Sequence, residues 1–94
     1  MRIVGTLERE HCKITIFQSD TRLLLKIENA RYEQTFKIPQ SDLVQSPQDI
    51  DRLLDEEFMG AVMSVFGTMH RTMGKAIEKL ESETHGEFDF EKII

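Results

Sequence analysis

"CKITIFQSDTRLLLKIE", Cys12 to Glu28, holds two alternating runs on either side of a polar break. In the first run Cys12, Ile14 and Ile16 fall on one face, and in the second Leu23, Leu25 and Ile27 do the same. A two-residue period with polar residues between is the pattern of strands buried on one side and wet on the other. The break "QSDT", residues 18–21, is turn-like and too short to hold a crossover, so the two runs predict an antiparallel hairpin.

The same period continues outward in both directions. Upstream, "RIVGTLE" puts Ile3, Gly5 and Leu7 on one face, joined to the hairpin through "EREH" at residues 8–11. Downstream, "YEQTFKIP" contributes Phe36 and Ile38 after a break at "NA", residues 29–30. Pro39 ends the fourth run, because it has no N–H to give a ladder. Residues 1–39 therefore predict a four-stranded antiparallel meander. Its opposite face carries Thr6, Glu8, Lys13, Thr15, Arg22, Lys26, Glu28, Glu33, Thr35 and Lys37.

Beyond the sheet the period changes. "SPQD", residues 46–49, has the features of a helix start: Ser46 to cap, Pro47 for the first helical position, and Asp49 to reach back. The helical region spans residues 47–84, either as one helix or divided near Leu54 with Asp55 capping a second helix over about 56–84. "LLDEEF" favours the division. Gly86 reads as the residue just past the helix end, and the tail 85–94, with Phe88 and Phe90 on one side, as a docked segment or short fifth strand. The class is α+β: an antiparallel meander with a long C-terminal helix on one sheet face. The 94 residues form a single domain.

On a helical wheel Phe58, Val62, Val65, Met69, Met73, Ala76 and Leu80 make one stripe, expected to face the sheet. Apolar character continues past it through Met59, Met63, Phe66, His70 and Ile77, and then reaches Gly60, Gly67 and Gly74, spaced seven apart. Each glycine costs a helix interior about 0.5–1 kcal/mol relative to alanine, so the three together cost roughly 2–3 kcal/mol. They are tolerated accidents, or Gly67 breaks the helix, or they let another backbone approach closely. The third reading makes Met59, Gly60, Met63, Phe66, Gly67, His70, Gly74 and Ile77 the interface of a homodimer. A two-fold pairing of the same helix from two copies is the expected solution.

Composition narrows the function classes. There are 17 acidic and 12 basic residues, a net charge of −5, which opposes non-specific attraction to nucleic acid or anionic membrane. Cys12 is the only cysteine, so no internal disulfide forms and a reducing, cytoplasmic setting is expected. "MRIVGTLERE" lacks the apolar core of a secretory signal, and Phe58 to Gly67 is about half the length of a bilayer span. No catalytic, metal or cofactor motif stands out. Cys12 is expected in the core and inert, and His85, Glu87, Asp89 and Glu91 in "HGEFDFE" read as a solvated tail rather than a metal site.

A meander followed by one long helix, dimeric through that helix, resembles the whirly and related single-stranded-DNA-binding coactivators over about residues 1–82. The likeness lies in the order of elements and in no matched motif. It implies a ligand face of Lys13, Phe17, Arg22, Lys26 and Lys37, interrupted here by Glu8, Glu28 and Glu33. The preferred expectation is a non-enzymatic interaction protein, an adaptor or small regulatory subunit whose first partner is its own copy. Single-stranded nucleic-acid binding is the alternative.

Overall fold

The computed structural model describes residues 1–87. Four strands come first: β1 (Arg2–Arg9), β2 (Cys12–Gln18), β3 (Arg22–Glu28) and β4 (Glu33–Pro39). All neighbours are antiparallel and the sheet order is β1-β2-β3-β4, a plain meander. Two helices follow, α1 (Pro47–Leu53) and α2 (Glu56–Glu87). The helical region is therefore divided, as "LLDEEF" suggests. The Asp55 carboxylate accepts the Phe58 N–H at 2.8 Å, and this cap starts α2.

The alternating residues of β2 and β3 build the core. Ile14, Ile16, Leu23, Leu25 and Ile27 are fully or almost fully removed from water, together with Cys12. Ile50 and Leu54 join this core, as do Met59, Val62 and Phe66 of α2. Phe58 packs on Phe36 with ring centroids 5.6 Å apart, and the Gln34 side-chain amide donates to the Val62 carbonyl at 2.9 Å.

One expectation about the sheet needs correction. Ile3 does not share a face with Gly5 and Leu7. It pairs with Phe17 while Gly5 pairs with Ile16, so the ladder skips Val4 in a β-bulge. The extra residue turns Ile3 to the side away from the helix, where it is 59% exposed.

Asp49 organises the start of α1. Its carboxylate accepts the N–H groups of Gln45 at 2.9 Å and Ser46 at 3.1 Å, and pairs with Arg52. The Gln45 N–H and then the Arg52 guanidinium hold its pKa below the ordinary aspartate range. A depressed carboxylate stabilises the fold above the unfolded pKa, and this stabilisation is lost as pH falls through the folded value. Asp49→Ala is therefore expected to lower the urea midpoint at neutral pH, with the gap between variant and parent closing as pH drops below about 4. Denaturation curves across that range check it.

The β1–β2 turn is strained. Glu10 and His11 both have positive φ, at 51° and 63°, in a two-residue connection between paired Arg9 and Cys12. Asn-Gly is the pair that adopts this backbone with least strain. Glu10→Asn combined with His11→Gly should raise stability by about 1–2 kcal/mol, seen as a higher urea midpoint at unchanged slope.

Candidate interaction site

Met59, Phe66, Met73 and Leu80 recur every seven residues along α2, and an α-helix drifts only about 20° over that interval. The drift adds up to about 60° from Met59 to Leu80, so the four form one slowly turning seam. Met59 is 3% and Phe66 4% exposed, whereas Met73 is 49% and Leu80 59% exposed. The difference is length. Strands of seven or eight residues reach about 25 Å, while a 32-residue helix runs about 48 Å. The sheet shelters the first half of this apolar seam, and the seam then continues past the sheet's end into solvent.

This corrects the expected division of the helix. Of the stripe expected on the sheet, Val62 is buried and Phe58 and Met69 partly so, but Val65, Met73, Ala76 and Leu80 are exposed. Met59 and Phe66, expected at a dimer contact, instead lie in the chain's own core. Near Met59 the helix is apolar on most sides, so packing against Ile14, Leu25 and their neighbours selects the face. Met63 and Ile77 of the expected contact are exposed at 39% and 49%.

The glycines do not break α2, which is continuous through all of them. It also passes through Gly86, and no glycine among the described residues has a positive φ, so Gly86 does not terminate it in a left-handed cap. Nothing in the chain requires a missing side chain at Gly60 or Gly74, since an added Cβ would meet no atom within 4 Å. At Gly67 it would meet only the Arg71 guanidinium, at an ordinary 3.5 Å.

Where the seam leaves the sheet there is an open cavity of about 600 Å³, whose lining includes His11, Arg31, Tyr32, Met63, Gly67 and His70. Asn29 shapes it: its side-chain oxygen accepts the N–H groups of Arg31 at 2.9 Å and Tyr32 at 2.8 Å. Tyr32 then reaches the helix, its hydroxyl 3.1 Å from His70 Nδ1 and the two rings edge to face. Cys12 lies beside this cavity with Sγ 3.7 Å from Met63 Sδ. Burial, and secondarily Glu10, pushes its thiol pKa up, which suppresses the reactive thiolate. Among the described residues no carboxylate lines the cavity. His11, His70, Gly67 and Met63 are far apart in sequence from Asn29, Arg31 and Tyr32, and no local pattern announces that they meet.

The open sheet face is divided lengthwise. One cross-strand row is Ile3, Phe17, Leu24 and Lys37, the next Thr6, Thr15, Lys26 and Thr35, and the third Glu8, Lys13, Glu28 and Glu33. Lys13 is thus flanked by two glutamates, and Lys26 Nζ lies 3.9 Å from both Glu28 and Glu33. Arg22 and Lys37 are at the other end. The five expected ligand-face residues share one face, but it is not a continuous basic groove.

No protein-family model, curated protein or solved structure matches this chain. The likeness to whirly-type proteins therefore rests on the order of elements. Among the described residues no group of three His, Cys, Asp or Glu side chains is placed to hold a metal ion, and no helix is long and apolar enough to cross a membrane. The expected fifth strand and the acids Asp89 and Glu91 lie outside the described residues.

Proposed function

We propose that this chain is a homodimeric interaction module, two copies joined through α2, that works by binding other proteins rather than by catalysis. The observation that carries the reading is the apolar overhang of α2, with Met73 and Ile77 each 49% exposed beyond the sheet. Large apolar groups at that spacing stabilise a helix that has a facing partner, and an isolated helix end gains nothing from them. Gly74 lies about 60° around the helix from Ile77 with open space around it, which suits close approach of a second backbone.

Sedimentation over a dilution series in the micromolar range tests this. Twice the chain mass is expected at the upper end, and a single-chain mass throughout would overturn it. The nucleic-acid alternative is less well supported, because Lys13 and Lys26 already face glutamates. It requires binding of short single-stranded oligonucleotides at low salt that weakens steeply as salt is added.

A further inference from the structure

We infer that the cavity between the β1–β2 turn, the β3–β4 turn and the middle of α2 binds a small organic carboxylate whose acid group is carried on an apolar, ring-sized body. This does not depend on the dimer. In a chain of net charge −5 the lining contributes Arg31, His11 and His70 and, among the described residues, no carboxylate. Arg71 adds a second guanidinium at the edge, its Nη1 3.5 Å from the place of a Cβ on Gly67, which itself lines the cavity. Among the described residues neither the Arg31 guanidinium nor the His11 imidazole has a hydrogen-bond or ion-pair partner. His70 has Nδ1 beside the Tyr32 hydroxyl, so Nε2 is the ring nitrogen left for a ligand. A guanidinium holds a carboxylate through two parallel N–H···O bonds, a fit that a neutral group of the same shape does not reproduce.

The body of the ligand follows from the rest of the lining. Met63, Phe66 and the Tyr32 ring supply apolar surface beside the cations, and a volume of about 600 Å³ suits a small molecule. Gly67 gives the wall no side chain at a position where the chain's own packing demands none, so the space stays open to a ligand. His11 reaches the lining from a backbone with φ of 63°, a conformation that costs stability. Strain kept at a residue that packs against nothing enclosed is what a binding role predicts.

Titration of the whole chain with phenylacetate, phenylacetamide and acetate, followed through backbone amide chemical shifts, tests the site. Phenylacetate should give saturable shifts at residues 11, 29–32 and 63–71, with a dissociation constant on the order of 1 mM. Phenylacetamide, which lacks the charge, and acetate, which lacks the ring, should each bind at least about tenfold more weakly. Arg31→Gln should weaken phenylacetate about tenfold, and Gly67→Leu, which fills the wall and favours the helix, should abolish its binding. Neither change touches enclosed packing, since Arg31 is exposed and a Cβ at Gly67 meets only ordinary contact. Phenylacetamide binding as well as phenylacetate would overturn recognition of the acid, and acetate binding as well would overturn the part given to the apolar lining. No saturable shift up to about 20 mM, shifts centred on Arg22 and Lys37 of the open sheet face, or binding unchanged in both variants would overturn the site.

Discussion

Replacing Ile77 by glutamate is expected to convert the protein to a monomer at micromolar concentration while leaving its fold intact. Ile77 is 49% exposed within its own chain and belongs to the part of α2 that extends past the sheet. A carboxylate there costs the isolated chain little, and glutamate is at least as good a helix former as isoleucine. In the proposed dimer the same position would lie in the contact, so the substitution would bury one carboxylate from each copy without a cation. An uncompensated buried charge costs about 3–5 kcal/mol, so the dissociation constant should rise by a hundredfold or more. Sedimentation reads the mass and circular dichroism reads the fold. An unchanged dimer would place the contact elsewhere. A protein that loses its helix signal would mean that Ile77 supports the single chain, contrary to its exposure.

The parts of the fold legible in the sequence are those decided by near neighbours. Cys12, Ile14, Ile16, Leu23, Leu25 and Ile27 alternate without exception, and the breaks between the strands are too short to permit any order but a meander. The cap at Asp55 and the start at Ser46, Pro47 and Asp49 are equally local. The bulge at Val4 is different. It is a property of two strands, and the β1 sequence alone alternates acceptably in either register. Which face of α2 meets the sheet was equally hidden, because Val65 and Phe66 are neighbours and both apolar. Periodicity permits a stripe through either, and the larger Phe66 fills the space above the β2–β3 core. The cavity around Tyr32 and His70 was the least visible feature. Its residues come from the β1–β2 and β3–β4 turns and the middle of the helix, and only the finished fold brings them together.

Phe66→Ala and Met73→Ala form a matched pair that separates the two halves of the seam. The positions are one seven-residue step apart on one helix face, yet one is 4% and the other 49% exposed. Truncating Phe66 removes a ring from the core under Val62 and Met59 and leaves a cavity that the surrounding strands close only partly. Such changes cost about 3–5 kcal/mol, a large share of the roughly 5–15 kcal/mol that holds a domain of this kind together. Met73→Ala touches no enclosed packing in the single chain, and alanine is the better helix former, so its effect on unfolding measured in dilute solution should stay within about 0.5 kcal/mol. At higher concentration the order changes in a specific way. If the dimer forms through the overhang, its stability depends on concentration, and Met73→Ala then lowers the urea midpoint because association no longer adds to it. Phe66→Ala should destabilise at every concentration. Equal losses for the two variants in dilute solution would mean that Met73 is sheltered by its own chain. The inference of an exposed seam, and the dimer built on it, would fall with that result.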